Sequence, residues 1–243
     1  MGAAQNRTVV LDVVMRLPHG VRTRSVDCSN ALAALIDRRG GDACFRLGEE
    51  FPGVPGSVCE PHVSLFMLAV DEDDVEAVRT ALGDAAREVA SVRAEATEYR
   101  FNHEGAPEVF YARTDDWRRV QRAVVAAVEP LRRGRLRERG PGGENLADLL
   151  AAADPRDPAQ VRQLREYGYD AVSDDRDDRF DPHVTLTWPR DESVRVDLSG
   201  LPEPSAFDGH LDEIGLYEMG PNGTCTKCRG IWALAATRPA DAV

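Results

Sequence analysis

The alternation of apolar and polar positions predicts strands and helices in an irregular order. Residues 8–15 are rich in β-branched and other apolar side chains, which is typical of a buried strand. Residues 25–39 carry apolar side chains near one face of a helix that Gly40 and Gly41 would end. Further strands are predicted at 62–70, 92–102, 108–113, 183–188, 210–219 and 230–237, and further helices at 71–89, 117–131, 144–153 and 159–167. Consecutive strands among the helices favour an α+β fold over strict alternation.

Three stretches interrupt or open these elements. Residues 48–60 are rich in proline and glycine and are predicted to form a loop. The acidic run 71–74 precedes a helical pattern, so its carboxylates fit the positive end of the helix dipole better than a cation site. Residues 132–178 form the least regular stretch, and we predict that they are an insertion or lid within a single bilobal domain spanning 1–243.

One short sequence occurs twice, as PHVSL at 61–65 and as PHVTL at 182–186. Side chains alternate along a strand, so His62 and Ser64 share one face, about 7 Å apart, as do His183 and Thr185. Matching proline, valine and leucine around two histidines would occur by chance in on the order of one unrelated chain in several thousand. The repeat therefore predicts two rigidly held imidazole–hydroxyl pairs.

Charge narrows the class of partner. The chain has 243 residues, and its 30 basic against 42 acidic residues give a net charge of −12. Proteins that grip long nucleic acids usually carry an excess of Lys and Arg, so we expect a small phosphate-bearing partner instead. The basic cluster at 132–139 is the one stretch that would suit RNA. The sequence contains no run of about 20 apolar residues that would predict a membrane span, and the first strand makes a poor signal peptide. We therefore expect a cytoplasmic protein, and we also expect a monomer.

The five cysteines are odd in number and irregularly spaced, so free thiols are expected. Cys225 and Cys228 have the CxxC spacing of half a zinc site or of a redox pair. No second CxxC or CxxH accompanies them, and an incidental pair in a hairpin turn is the favoured interpretation.

The repeat resembles the hallmark of the two-histidine (2H) phosphoesterase superfamily, which includes RNA 2′,3′-cyclic phosphodiesterases also described as 2′-5′ RNA ligases. The resemblance extends over the chain except for 132–178. It implies an α+β, two-lobed, pseudo-symmetric fold with mostly antiparallel sheets lining a central cleft and helices outside. It also implies an acid–base pair, His62 and His183, that works on a phosphodiester without metal or other cofactor.

Imidazole suits this chemistry because it titrates near neutral pH and can serve as acid or base. The hydroxyls of Ser64 and Thr185 are expected to bind the non-bridging phosphate oxygens. A nucleotide base would want an aromatic side chain and the phosphate an arginine. The candidates for these contacts are Phe66, Tyr111, Trp188 and Tyr217, and Arg100, Arg113 and Arg229.

Other interpretations remain open at this point. Either motif histidine could be structural, with its ring satisfied by a backbone carbonyl. A two-histidine metal site could include Asp181 beside His183 and Cys59 near His62. The chain could also be a nucleotide- or RNA-binding module, a 2′-5′ RNA ligase, or a tailoring enzyme that uses the same cleft for another ester or acyl reaction. His19, His103 and His210 are expected to be ordinary surface or loop residues.

Overall fold

A four-stranded antiparallel sheet carries the first motif. The computed structural model describes residues 7–51 and 54–236. The sheet has the order β11–β10–β1–β3, so the motif strand β3 lies at its edge. Its strands are β1 (Thr8–Arg16), β3 (His62–Asp71), β10 (Glu213–Met219) and β11 (Cys225–Ala233). The edge position leaves one side of β3 free to meet the second half of the molecule.

A three-stranded antiparallel sheet, in the order β5–β6–β7, carries the second motif. Its strands are β5 (Ala96–Phe101), β6 (Pro107–Tyr111) and β7 (His183–Thr185). Two short antiparallel pairs complete the strands, β2 (Ala43–Arg46) with β8 (Thr187–Pro189) and β4 (Val92–Ala94) with β9 (Gly209–Leu211). Strands β3 and β7 pack against each other, which brings the two motifs together.

Five α-helices accompany these sheets in the described part of the chain. They are α1 (His19–Arg38), α2 (Val75–Glu88), α3 (Asp115–Val128), α4 (Leu146–Ala152) and α5 (Pro158–Tyr167). Helices α2 and α3 pack on each other, and α3 also packs on β3. No helix of the described ranges is long and apolar enough to cross a membrane. The predicted α+β class with mostly antiparallel sheets is confirmed.

Several element bounds differ from the sequence prediction. Helix α1 begins at His19 rather than at residue 25, and two serines lie on its buried face. The hydroxyl of Ser25 donates to the Val21 carbonyl, so a polar residue occupies a buried position and hides the helical pattern. Strand β2 was not predicted. The predicted turn around the CxxC pair is wrong, because Cys225 already begins β11.

The predicted strand at 183–188 consists of two short strands in different sheets. Its first half, β7, pairs with β6, and its second half, β8, pairs with β2. The chain crosses between the sheets at Leu186, whose backbone N–H donates to the Pro107 carbonyl. The predicted loop residues 52–53 and Thr237, the end of the last predicted strand, lie outside the described residues.

Residues 132–178 are fastened to the core by a buried amide. Gln121 of α3 donates through Nε2 to the carbonyls of Leu65 and Ala171, at 2.9 and 2.6 Å, and accepts from the backbone N–H of Ser173 at 2.7 Å. One side chain therefore joins α3, the first motif strand and the end of the irregular segment.

We expect Gln121→Leu to lower the free energy of unfolding by about 2–4 kcal/mol, because it leaves three buried backbone groups without partners. Chemical denaturation measures this change. The control is Arg119→Leu on the exposed face of the same helix, which should change stability by less than about 1 kcal/mol. Equal stability of Gln121→Leu and the wild type would contradict the fastening role.

Candidate active site

Both motifs open into one cavity of about 520 Å³. Its lining includes the imidazoles of His62 and His183 and the hydroxyl-bearing residues Ser64 and Thr185. A cavity of this size suits a small ligand such as a nucleotide. The structure therefore brings together all four residues that the repeat singled out.

The first motif is held by hydrogen bonds to its own loop and to β1. His62 Nδ1 lies 2.6 Å from the Glu60 carbonyl oxygen, and Ser64 Oγ donates to Asp12 Oδ2 at 2.7 Å. The same Asp12 oxygen lies 3.7 Å from His62 Nε2. Asp12 belongs to β1, is fully buried, and completes a cluster of imidazole, hydroxyl and carboxyl groups.

The second motif repeats this arrangement with different residues. His183 Nδ1 lies 2.7 Å from the Asp181 carbonyl oxygen, and Thr185 Oγ1 donates to Glu108 Oε1 at 3.0 Å. That Glu108 oxygen lies 3.7 Å from His183 Nε2. Glu108 sits on β6, directly opposite Thr185 in the antiparallel register. The two halves of the site thus share one hydrogen-bond plan.

The carbonyl contacts fix the chemistry available to each ring. A backbone carbonyl can only accept, so Nδ1 carries the proton in both histidines. In the neutral ring this leaves Nε2 with its lone pair available to the cavity. The carbonyl contact expected of a purely structural histidine is present at Nδ1 of both rings, and His62 has the Gly223 backbone as a second neighbour.

A β-bulge decides which later side chains of β3 face the cavity. Val14 pairs with Ser64 but Val13 pairs with Phe66, so Leu65 is an extra residue on β3. The alternation shifts by one there, and Met67 lines the cavity in place of Phe66. Phe66 is instead fully buried in the core. The prediction that Phe66 contacts the substrate is therefore wrong.

Among the other predicted contact residues, Trp188 lines the cavity. Tyr111 is buried against Trp117, with ring centroids 5.9 Å apart, and Tyr217 lies beside Arg16 in a neighbouring pocket. Each arginine candidate is bound elsewhere. Arg113 pairs with Asp178, Arg229 pairs with Glu72 and Glu218, and Arg100 bonds Asp181 and lies 3.4 Å from the Phe110 ring centroid.

Burial changes the protonation of several groups around the cavity. It raises the pKa of Asp12 from 3.8 to about 7, against the opposing effects of the Ser64 hydrogen bond and of the Arg137 charge. Burial also lowers the pKa of His62, and repulsion from His183 adds to this. On the cavity wall, burial and the neighbouring Glu144 raise the pKa of Glu104 to about 8. At neutral pH Glu104 is thus largely protonated and Asp12, beneath Ser64, is partly protonated.

The metal alternative takes a different form from the one expected. Ligand atoms of Asp12, His62 and Cys225 lie within 4.8 Å of one another. The expected ligand Asp181 is instead bonded to Arg100. Cys225 and Cys228 do not form a ligand pair, because Cys225 is buried and Cys228 is exposed on the same strand. Any metal held here would take His62 Nε2 out of proton transfer.

Residues 132–178 supply one wall of the cavity. Leu149 and Ala152 of α4, Leu164 of α5 and Tyr169 after it all contribute to the lining. This wall limits the room for a substrate on the side facing Met67. Movement of the segment as a lid stays a prediction.

Sequence patterns pointed to Arg137 only as a member of the basic cluster and did not point to Asp12 or Glu108. Glu108 and Arg137 line the cavity, and Asp12 borders it through its bond with Ser64. A signal was available for Asp12, since a lone acid in the middle of the apolar run 8–15 is unusual for a buried strand. Glu108 opposes Thr185 only through a pairing register that the sequence does not reveal.

Comparison with known proteins supports the fold. No protein-family profile and no curated protein sequence matches the chain. Among solved structures, a crystal structure of a phosphoesterase is 14% identical, with a TM-score of 0.52 over 94% of this chain and 99% of that one. E. coli LigT complexed with 3′-AMP and apo LigT are each 13% identical, with TM-scores of 0.52 and 0.50 at the same coverage. The chain has the fold of these structures, which confirms the fold that the motif resemblance predicted.

The raised pKa of Asp12 has a consequence for stability. The carboxyl binds its proton more tightly in the folded than in the unfolded chain, so its contribution is fully present below about pH 4 and is lost as the pH rises through about 7. We expect Asp12→Asn, which cannot ionise, to be more stable than the wild type at pH 8 by up to about 4 kcal/mol and nearly equal to it at pH 4.

Urea denaturation at several pH values between 4 and 8 measures this difference. The control is Asp175→Asn, at an exposed carboxyl, which should show no comparable pH-dependent gain. A wild type that gains stability over Asp12→Asn as the pH rises would contradict a raised pKa.

Proposed function

We propose that the protein is a metal-independent phosphodiesterase that opens a small cyclic phosphodiester, or cleaves a small linear one, with His62 and His183 as its acid–base pair. The observation that carries the proposal is the shared hydrogen-bond plan of the two motifs around one cavity. Two imidazoles that face one cavity suit in-line displacement at phosphorus, where proton transfer is needed on opposite sides.

We infer the roles for hydrolysis from the position of both rings at the cavity and from the lowered pKa of His62. His62 is neutral at neutral pH, so its Nε2 accepts the proton of an attacking water. As the water oxygen bonds to phosphorus, the ester bond to the sugar oxygen breaks, and Nε2 of protonated His183 donates a proton to that oxygen. The reverse of these steps joins a phosphate to a hydroxyl, so the same geometry also serves 2′-5′ ligation.

The motif hydroxyls act in concert with their carboxyl partners. In this structure the hydroxyl of Ser64 donates its hydrogen bond to Asp12, and that of Thr185 donates to Glu108. Neither hydroxyl can therefore donate to a ligand in the cavity at the same time. A protonated Asp12 can itself donate to Ser64 Oγ and free the Ser64 proton for a phosphate oxygen. This coupling lets the first motif stabilise the charge that grows on those oxygens in the transition state.

A small substrate fits the charge distribution better than RNA. Most arginines of the basic cluster 132–139 have partners within the protein: Arg132 with Glu129, Arg133 with Asp74, Arg135 with Asp71, and Arg139 with the Gly143 carbonyl. They do not form a free phosphate-binding surface. The similarity to LigT complexed with 3′-AMP supports a nucleotide-sized ligand for this cavity.

We expect His62→Ala and His183→Ala each to lower kcat/KM for a 2′,3′-cyclic nucleotide by about 100- to 10,000-fold, the usual contribution of a general acid or base. Release of the nucleoside monophosphate measures turnover, and circular dichroism verifies the fold. The control is His210→Ala, at an exposed residue of β9, which should keep full activity.

A chelator decides between the proposal and a metal site built on Asp12, His62 and Cys225. Wild-type activity should survive prolonged treatment with EDTA. Activity that disappears with EDTA and returns with Zn²⁺ would replace the acid–base mechanism with a metal-dependent one.

The pH dependence follows from the lowered pKa of His62. The base is active only when neutral, so we expect the acid limb of the kcat/KM profile to have its midpoint below the ordinary histidine value of 6.5. The same limb should be measured in Asp12→Asn, because Asp12 titrates in an overlapping range. A midpoint well above 6.5 in both proteins would be inconsistent with His62 as the base.

A further inference from the structure

Arg137 is a buried cation on the cavity wall that forms no salt bridge with any described residue. Its side chain is 3% exposed and lines the cavity that holds both motifs. The guanidinium donates to the Gly168 carbonyl at 2.9 Å and contacts the Met67 sulfur at 3.3 Å, and its Nε has no partner. Within the described ranges it forms no salt bridge, unlike the neighbouring arginines of the segment.

Such an arrangement costs stability unless a ligand compensates it. Burial of a charge without a counter-charge is strongly unfavourable, and here it lowers the pKa of Arg137. The carboxyl groups of Asp12, Asp170 and Glu144 attract this charge, but none forms a salt bridge with the guanidinium, and Asp12 bonds Ser64 and keeps its proton up to about pH 7. The guanidinium therefore faces the cavity without an ion-pair partner among the described residues.

The position of Arg137 differs from that of the reacting phosphate. His183 lies beyond the free edge of β3, on β7, so a phosphate between the two histidines lies on that side. Arg137 lies on the other side of β3, over β1, between Met67 of β3 and Met219 of β10. Along β1, the residues opposite His62 and Met67 are four apart, roughly 13 Å at about 3.3 Å per residue. The backbone positions of His62 and Met67 are thus well separated along the sheet, and the guanidinium lies across β3 from the side on which His183 stands.

We propose that Arg137 forms a second anion subsite, and that the substrate carries a second phosphate group besides the phosphodiester held by His62 and His183. The guanidinium presents a planar fork that matches phosphate oxygens, and a terminal phosphate brings the charge that the subsite lacks. The subsite comes from residues 132–178, so this segment selects the substrate. The inference rests on the proposed function for the position of the first phosphate.

The test compares two stable ligands that differ by one phosphate, 3′-AMP and adenosine 3′,5′-bisphosphate, by calorimetry. Wild-type protein should bind the bisphosphate more tightly by about tenfold or more, as expected for a charge-assisted bidentate contact. Arg137→Met should bind the two ligands equally. Methionine suits the site, whose neighbours are the thioethers of Met67 and Met219 and the ring of Tyr169.

The control is Arg139→Met, which removes the same charge from an exposed position two residues away and should keep the wild-type preference. A thermal melt separates binding from folding: without ligand, Arg137→Met should melt no lower than the wild type, since it removes an uncompensated charge. An equal loss of affinity for both ligands in Arg137→Met would place Arg137 on the reacting phosphate and overturn the second subsite. A wild-type protein that binds the two ligands equally would also overturn the second subsite.

Binding is measured without turnover, so the outcome is independent of the proposed chemistry. If the histidine variants keep their activity while Arg137→Met loses the preference, the phosphodiesterase mechanism fails and the anion subsite stands. If the histidine variants lose activity but the preference survives in Arg137→Met, the mechanism stands and the subsite fails.

Discussion

The site depends on how antiparallel pairing places a carboxyl group beside each motif hydroxyl. On β3 and β7 the histidine and hydroxyl alternate to one face, and the neighbouring strand contributes Asp12 or Glu108 to that same face. Each histidine also turns Nδ1 to a carbonyl two residues before it. The rings are thereby held by rigid backbone, which orients Nε2 better than a mobile loop would. The rest of the site, including the cavity wall from residues 132–178, is arranged around these two clusters.

The sequence predicted most of the fold because its strands are strongly apolar and its motifs repeat. Strand β1 and the motif strand β3 appear within one residue of their predicted bounds, and helices α2, α3, α4 and α5 fall close to theirs. The start of α1 was missed because Ser25 and Ser29 occupy its buried face, where hydrophobic periodicity expects apolar residues. The break between β7 and β8 was missed because a continuous apolar run does not show where a strand changes partner.

The four motif residues of the candidate site could be predicted, but their partners could not. Phe66 was a candidate for a base contact, but the bulge at Leu65 turns its side chain away from the Ser64 face and into the core. The acids that reach the motif hydroxyls come from neighbouring strands, Glu108 opposite Thr185 and Asp12 opposite Met67, and local sequence patterns do not specify this strand register. The sequence likewise does not show which arginines of the basic cluster are free to bind a ligand. Most of them pair within the protein, and tertiary packing places Arg137 in the cavity.

Charge poses the central difficulty for any anionic substrate of this acidic protein, and the cavity resolves it locally. Burial keeps Glu104 largely protonated and Asp12 partly protonated at neutral pH, so the region around the cavity carries less negative charge than its composition implies. The proton on Asp12 also weakens one of the attractions that act on Arg137, beside those of Asp170 and Glu144, so the charges of Asp12 and Arg137 are interdependent. Ionisation of Asp12 would repel a phosphate and strengthen the attraction on Arg137 at the same time. The protonation of one buried carboxyl, Asp12 on β1, therefore affects both the hydrogen bonding of Ser64 in the first motif and the charge environment of Arg137 on the wall that residues 132–178 provide.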